Sequence, residues 1–351
     1  MLIRNLFLAL FVPMLTAFAA PSPSWLEFSG AANQPGSGHR VVLISGDEEY
    51  RSEESMPMLA KILSQHHGFT CTVLFAIDPT TGIINPNLQT NIPGLKALAK
   101  ADLLIIATRF RQLPAEQLRM IADYLQAGKP VIGLRTATHA FTGPAETDGL
   151  KWKEFGSVVL GETWVAHHGK HKVEGARGII EPANADSPVL RGVTEVFGPS
   201  DVYTVSHLNP EAKILLRGEV TTSLAPDSPA LEGEKNRPMM PMAWLRDYQV
   251  PGGKPGRAFC STMGAAVDLL NEGLRRLIVN ASYELTGQNV PERADVTLVD
   301  PFAPSFYGFV EAEAWVKRAA TPADFALGQS TTPFDRVVIP AGYTSGSARI
   351  K

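Results

Sequence analysis

Short, wholly apolar runs that alternate with stretches of helical periodicity constrain the fold of this chain more than any other feature. Residues 41–44 and 103–107 are apolar throughout, which is typical of parallel strands that are buried on both faces. The stretch 55–68 has Pro57 in its first turn and Gly68 at its end, and its apolar residues recur every three or four positions. Strands and helices in this alternation form a parallel, doubly wound α/β sheet with right-handed crossovers.

Further elements complete the predicted domain, whereas the tail after Arg293 is rich in proline and threonine and has no clear repeat. The other predicted strands are 69–75, 131–134, 171–180, 213–220, 242–247 and 257–262, and the other predicted helices are 93–100, 114–127 and 266–285. The predicted divisions are a signal peptide (1–20), a linker (21–39), an α/β domain (40–290) and an irregular C-terminal extension (291–351).

The N-terminus has the form of a secretory signal peptide. The sequence MLIRNLFLALFVPMLTAFAA carries a positive charge at Arg4, an apolar run over 6–18 and a small-x-small site that ends at Ala19. This pattern predicts export, to the periplasm or out of the cell. A retained membrane anchor is the alternative, although the run is shorter than the roughly 20 residues that a spanning helix needs.

The charge balance excludes two classes of partner. Lysine and arginine total 32 against 35 aspartates and glutamates, a formal net charge of −3, so neither nucleic acid nor an acidic membrane surface is expected. No apolar run after the predicted signal is long enough to span a bilayer. The expected partner is therefore a small molecule, and the sequence leaves the oligomeric state open.

Polar side chains follow three of the predicted parallel strands, at the point where each strand ends. Ligands of open parallel sheets bind at the carboxyl ends of the strands, because loops and helix N-termini converge there. The alternative is a solvated loop whose acids pair with the arginines for structural reasons. The residues concerned are Asp47, Glu48, Glu49 and Arg51 after the first strand, Arg109 and Arg111 after the third, and Arg135, Thr136, Thr138 and His139 after the fourth.

The turn after the fourth strand, in GKPVIGLRTATHAF, holds an arginine where some α/β enzymes place a nucleophile. In those enzymes a serine or cysteine lies on a sharp turn between strand and helix. The position here is Arg135, whose guanidinium stays protonated and cannot act as a nucleophile. Its fork of N–H donors suits a carboxylate, a phosphate or a polyhydroxyl group.

A second polar cluster lies in GETWVAHHGKHKVEGARG. His167 and His171 have the four-residue spacing of two metal ligands on a helix, but Gly169 between them disfavours a helix. The alternatives are an acid or base from His167 or His168 that points into the crevice, and a surface loop of histidines. Further candidates for the same edge are Trp164, Asp201 and Tyr203.

Four segments, in order along about residues 40–287, resemble a known family. They are VVLISGDEEYRSEESMPMLAKIL, ADLLIIATRFRQLPAEQLRMIADYLQAGKPVIGLRTATHAF, GETWVAHHGKH and PMAWLRDYQVPGGKPGRAFCSTMGAAVDLLNEGLRRLIVNASYELTG. They resemble the ThuA-like, or trehalose-utilisation, family, in particular its exported planctomycete-type branch. The resemblance implies a flavodoxin-like sheet similar to that of class I glutamine amidotransferases. Those enzymes carry a cysteine at the position of Arg135, so the likeness does not imply amidotransferase activity.

The resemblance also implies carbohydrate catabolism, around trehalose-like disaccharides or their keto derivatives. We therefore expect an exported enzyme that applies acid and base chemistry to a sugar without a cysteine nucleophile. A carbohydrate-binding protein without activity is one alternative, and a metal-dependent hydrolase with a divalent metal on His167 and His171 is the other; no further cofactor is expected. The candidate catalytic residues are Asp47, Glu48, His139, His167 and His168, and the candidate substrate-binding residues are Arg109, Arg135, Thr136, Trp164, Asp201 and Tyr203.

Overall fold

The computed structural model describes residues 24–330, 333–334, 339–340 and 343, so the predicted signal peptide lies outside the described residues. Over this part of the chain, no helix is both long and apolar enough to cross a membrane. The α-helices are α1 (Ser52–Gln65), α2 (Ala115–Gln126), α3 (Glu272–Leu285) and α4 (Ala312–Arg318). The strands are β1 (Trp25–Phe28), β2 (Arg40–Gly46), β3 (Thr70–Leu74), β4 (Leu103–Thr108), β5 (Val131–Leu134), β6 (Glu146–Thr147), β7 (Leu150–Lys151), β8 (Ala176–Ile180), β9 (Val196–Gly198), β10 (Lys213–Val220), β11 (Met240–Tyr248) and β12 (Gly256–Ser261).

Five parallel strands form the centre of the main sheet, in the order β3-β2-β4-β5-β12. This is the 2-1-3-4-5 order of flavodoxin-like folds, and it confirms the predicted α/β class. The order reverses between β2 and β4. The loops that follow Gly46 and Thr108 therefore flank the crevice in which such folds bind ligands.

The complete sheet is mixed rather than wholly parallel. At one edge β1 pairs antiparallel with β3, and beyond β12 the strands β11, β10, β8 and β9 extend the sheet with antiparallel pairing. No α-helix separates these last strands along the described chain, and antiparallel neighbours need no helical crossover. The strand predicted at 171–180 begins only at Ala176, so His171 lies in the loop before it.

Successive side chains of the central strands enter two different cores. Val41 and Leu43 of β2 lie in the core shared with α1 and α3, and Val42 and Ile44 lie in the core shared with α2. All four side chains are at most 2% exposed. The strand is thus covered on both faces, as its unbroken apolar run predicts. Polar side chains therefore lie at the ends of such strands rather than within them.

Part of the predicted linker is an edge strand. Trp25–Phe28 pairs with β3, opposite Leu74 at one end and Cys71 at the other. Leu26 and Phe28 point into the core and are 7% and 3% exposed. The strand is only four residues long, and its serine- and glycine-rich flanks hide it in a composition-based division of the chain.

Two helices begin at different residues from those predicted. Helix α1 starts at Ser52 rather than Ser55, directly after Arg51 in a left-handed conformation with φ at 61°. The Ser52 hydroxyl oxygen accepts the backbone N–H groups of Gly46 and Asp47, both at 3.1 Å. Helix α3 starts at Glu272 rather than at residue 266, because the side chain of Asn271 caps its first turn.

The C-terminal extension, predicted to be irregular, contains the short helix α4 and packs against the start of α1. Arg318 donates to Glu53 at 3.2 Å and to Glu54 at 2.9 Å. The backbone N–H and the hydroxyl of Ser305 both donate to Glu54 at 2.7 Å. These buried contacts hold the extension beside the loop that follows β2.

The two cysteines are both buried and both free. Cys71 lies on β3 and Cys260 on β12, and β2, β4 and β5 stand between those strands, which rules out a disulfide. Burial raises the pKa of both thiols. Neither cysteine is therefore a candidate nucleophile.

Candidate functional site

Arg135 occupies the turn after β5 in a left-handed backbone conformation, with φ at 46°, and its side chain is 1% exposed. One terminal nitrogen, Nη1, donates to the carbonyls of Asp201 and Thr262 at 2.7 and 2.8 Å. The other, Nη2, donates to the Tyr50 hydroxyl at 3.1 Å and to Asp201 Oδ1 at 3.0 Å. The guanidinium carbon also lies 3.7 Å from the ring centre of Tyr203. Contrary to the prediction that it binds substrate, Arg135 holds Asp201, because protein groups occupy its terminal donors.

Asp201 is the centre of the polar cluster. Its buried carboxylate accepts the Nδ1–H of His167 at 2.6 Å and the Nδ1–H of His171 at 3.0 Å. Burial alone would raise the pKa of Asp201, but the Arg135 charge and the two imidazole hydrogen bonds hold that pKa well below its usual range. Asp201 therefore stays ionised and orients two histidines, rather than reaching a substrate as predicted.

His171 bridges two carboxylates. Its Nδ1 lies 3.0 Å from Asp201 and its Nε2 lies 3.2 Å from Glu49. Burial opposes the charged form, but the hydrogen bonds to Asp201 and Glu49 outweigh it, and the pKa of His171 is raised. A carboxylate lies against each ring nitrogen, which fixes the position of the ring and favours its charged form.

Aromatic rings lie beside the imidazoles of His167 and His139. The ring centre of Trp164 lies 5.7 Å from that of His167 and 5.3 Å from that of His139. Tyr203 lies 5.6 Å from His167, and Phe110 lies 4.9 Å from His139. The indole N–H of Trp164 is buried and meets no acceptor among the described residues. This wall therefore presents apolar ring faces beside His167 and His139.

His139 lies in this wall in its neutral form. It is 9% exposed, and burial, followed by the charges of Arg109 and Arg135, lowers its pKa to about 3. Its ring nitrogen Nδ1 lies 3.3 Å from the Thr138 hydroxyl. His139 thus cannot supply the acid of a proton transfer near pH 7, although it can accept a hydrogen bond.

Asp47 is buried and fully engaged by its own loop. One carboxylate oxygen accepts the backbone N–H of Glu49 at 2.7 Å and of Tyr50 at 2.9 Å, and the other accepts the Thr136 hydroxyl at 2.6 Å. Burial and the nearby charge of Glu48 raise the pKa of Asp47 to about 6. Asp47 and Thr136 therefore shape the loop, which argues against their predicted catalytic and substrate-binding roles.

Glu48 pairs with two arginines. Its Oε1 lies 2.5 Å from Arg109 Nη1, and its Oε2 lies 2.9 Å from Arg111 Nη2. Arg111 is fully buried, whereas the Arg109 side chain is 20% exposed at the rim of the crevice. Both oxygens of Glu48 are consequently engaged by arginines, and its catalytic role stays a prediction.

His168 points away from the cluster that its neighbour joins. Its Nε2 donates to the Lys235 carbonyl at 2.8 Å. The backbone N–H groups of His168 and Gly169 both donate to the Val202 carbonyl, at 2.8 and 3.0 Å, which anchors the loop. This anchoring turns His167 towards Asp201, and the predicted catalytic role of His168 does not fit its position.

The same cluster has the donor set of a metal site. One ligand atom from each of His167, His171 and Asp201 lies within 4.8 Å of the others. Two imidazoles and a carboxylate suit zinc and similar divalent ions. The predicted metal pair thus gains a third ligand, Asp201, which is 34 positions along the chain from His167.

The sequence placed Glu49 among the polar residues at the strand ends but gave it no role, and it did not identify Tyr50 or, in the C-terminal extension, Tyr307. Tyr307 stacks on Tyr50 with ring centres 5.0 Å apart and lies 5.3 Å from the ring of His171. Its hydroxyl donates to the Pro199 carbonyl at 3.0 Å. Only the three-dimensional path of the extension brings it to the site, and no periodicity in the sequence signals that path.

Comparison with known proteins shows the family of this chain. Residues 40–282 match the sequence model of ThuA, described as trehalose utilisation. Similar solved structures include a ThuA-like protein of Bacteroides uniformis, 13% identical over 73% of this chain and 94% of its own, with a TM-score of 0.45. Another is a ThuA-like protein of Parabacteroides merdae, 14% identical over 72% of this chain and 92% of its own, with a TM-score of 0.44. No curated protein matches the chain.

Proposed function

The chain belongs to the ThuA family, described as trehalose utilisation, and from this premise we propose that it is an enzyme of carbohydrate catabolism that moves protons on a sugar. Membership of the family supports the carbohydrate-related role. The arrangement around Asp201 supports the proton transfer. The substrate class follows the family, as trehalose-like disaccharides or their keto derivatives.

The observation that carries the proposal is the 2.6 Å contact between His167 Nδ1 and Asp201 Oδ2. The buried carboxylate fixes the Nδ1–H tautomer, which leaves Nε2 as a proton acceptor on a side chain that is 34% exposed. A histidine oriented by a buried aspartate in this way is the base of many hydrolytic sites. Here it would take a proton from a sugar hydroxyl or from the carbon beside a keto group.

His171 supplies a positive charge beside that base. Its side chain is 28% exposed, and Asp201 and Glu49 hold it in place as an imidazolium. A fixed charge of this kind stabilises an oxygen on which negative charge develops during reaction. The two histidines thus divide the roles of base and electrostatic stabiliser.

The aromatic wall supports a sugar as the bound molecule. A pyranose presents apolar C–H groups on its faces and hydroxyls at its rim, and Trp164 offers a ring face beside His167. The ring centre of Trp164 lies 5.7 Å from that of His167, so a single sugar ring can contact both residues. A sugar stacked on Trp164 would place its hydroxyls near Nε2.

Arg135 and the two cysteines argue against glutamine amidotransferase activity. Arg135 occupies the elbow, and both thiols are buried on strands with raised pKa values. We further propose that the protein works outside the cytoplasm, on the signal-like pattern of residues 1–20. Detection of the processed protein in a periplasmic fraction would check that location.

The enzyme proposal is tested by NMR of the purified protein with trehalose, other disaccharides and their keto derivatives. We expect a new product from at least one sugar, formed also in the presence of EDTA and lost in His167→Gln. Selective broadening of sugar signals without a product would contradict the proposal and identify a carbohydrate-binding protein.

A second candidate function, a metal-dependent hydrolase, is favoured by the ligand atoms of His167, His171 and Asp201 within 4.8 Å of one another. The same experiment separates the two. Loss of turnover in EDTA, restored by zinc or manganese at one ion per chain, would assign the cluster to a metal and overturn the proposal that His167 is the base.

A further inference from the structure

Phe309 is a large aromatic residue held in solvent by a fixed backbone. Its side chain is 63% exposed. Before it, the Gly308 N–H donates to the Glu49 carbonyl at 2.8 Å, and the Arg51 guanidinium donates to the Gly308 carbonyl. After it, the Val310 carbonyl accepts the side-chain amide of Asn87 at 3.2 Å. Hydrogen bonds on both sides of Phe309 therefore fix the position of its backbone, while its ring stays exposed.

Phe309 belongs to a ledge with Arg109 and Phe110. The guanidinium carbon of Arg109 lies 4.6 Å from the ring centre of Phe110 and 5.0 Å from that of Phe309. Arg109 is itself fixed by Glu48, at 2.5 Å, and lies 3.8 Å from Glu49. Two rings with a charged, planar group between them form a rigid surface with N–H donors at its centre.

The ledge is continuous with the proposed reaction centre on two sides. On one side, Glu49 next to Arg109 contacts His171 Nε2 at 3.2 Å. On the other, the ring of Phe110 lies 4.9 Å from that of His139, and the ring of His139 lies 5.3 Å from that of Trp164. A molecule that stacks on Trp164 beside His167 and extends along this wall would next meet Arg109 and Phe309.

We propose that Phe309, Arg109 and Phe110 form a subsite for a second sugar ring, so that the substrate is a disaccharide or other glycoside rather than a single sugar. The apolar face of that ring packs on Phe309, and Arg109 donates to its hydroxyls. This inference rests on the proposed function for the identity of the ligand as a carbohydrate. It adds the residues that contact the second ring of such a disaccharide, and it assigns to Phe309 the discrimination between one ring and two.

The test compares the affinities of trehalose and glucose by titration calorimetry with the full chain. Phe309→Ala should weaken trehalose binding by about 2- to 12-fold, the loss of one aromatic contact, and leave glucose binding unchanged. Phe309→Trp should restore the preference for trehalose. The matched control is Val316→Ala. Val316 is also an exposed apolar residue of the extension but lies on α4, and its replacement should change neither affinity.

An unchanged ratio of the two affinities in Phe309→Ala would overturn the subsite, as would an equal loss for both sugars or no binding of either. The outcome is separable from that of the enzyme proposal. A shift in the affinity ratio without turnover of any sugar would support the subsite and remove the enzyme, whereas turnover with an unchanged ratio would do the reverse.

Discussion

The guanidinium of Arg135 lies 3.0 Å from the carboxylate of Asp201, and neither side chain is more than 1% exposed. The two residues come from opposite halves of the matched region, the turn after β5 and the loop after β9. Their contact ties the parallel part of the sheet to its antiparallel extension. It also fixes the carboxylate that orients His167 and His171.

We expect Arg135→Met to lower the free energy of unfolding by about 3–5 kcal/mol, because removal of one member of a buried ion pair leaves the other charge buried without compensation. Urea unfolding at pH 7 measures this change. The matched control is Arg119→Met, which breaks exposed pairs with Asp123 and Asp148 and should cost less than about 1 kcal/mol. Similar losses in the two variants would contradict the structural role of Arg135.

Glu48→Gln should also destabilise the fold, by about 3 kcal/mol, since Arg109 and the fully buried Arg111 lose their shared carboxylate. Glu284→Gln, which affects a half-exposed pair with Arg257, should change the free energy of unfolding by less than about 1 kcal/mol. A Glu48→Gln variant as stable as the wild type would show that these pairs contribute little.

His139 predicts a specific pH dependence of stability. Its folded-state pKa is about 3, below the ordinary value of 6.5 that histidine has in an unfolded chain. Its contribution is complete above pH 6.5 and is lost as the pH falls towards 3, because the unfolded chain then binds a proton that the folded chain does not.

His139→Gln should therefore lose about 2 kcal/mol less stability than the wild type between pH 7 and pH 5, because the slope of about 1.4 kcal/mol per pH unit applies only below pH 6.5. Urea unfolding at the two pH values measures the difference. His207→Gln, at a histidine whose side chain is 69% exposed, should behave as the wild type does. Parallel losses in His139→Gln and wild type would contradict the neutral, buried state of His139.

Sequence patterns predicted the parts of the fold that depend on local periodicity. Continuous apolar runs located β2, β4 and β5, and the rule that ligands bind at strand ends located the crevice. Of the antiparallel strands, β8, β10 and β11 were predicted as segments, whereas β1 and β9 were not. Their partners were not predicted, because the pairing depends on loops without a periodic signal.

Side-chain direction in the loops was the part that the sequence could not supply. His167 and His168 are adjacent, yet His167 contacts Asp201 and His168 contacts the Lys235 carbonyl. Hydrogen bonds from the backbone to the Val202 carbonyl fix the loop in this conformation. In the same way, the acidic run after β2 gave candidates of one chemical type. Long-range contacts then placed Glu49 at the site and engaged Asp47 and Glu48 with other protein groups.

The central claim is that His167, oriented by Asp201, is the base that acts on a sugar. The most direct measurement is kcat/KM of His167→Gln and His168→Gln on the sugar that the wild type converts, with thermal unfolding to show that both variants fold. The account predicts a loss of about 10²- to 10⁴-fold in His167→Gln and a change below about twofold in His168→Gln. Equal losses in the two variants, or full activity in His167→Gln, would contradict it.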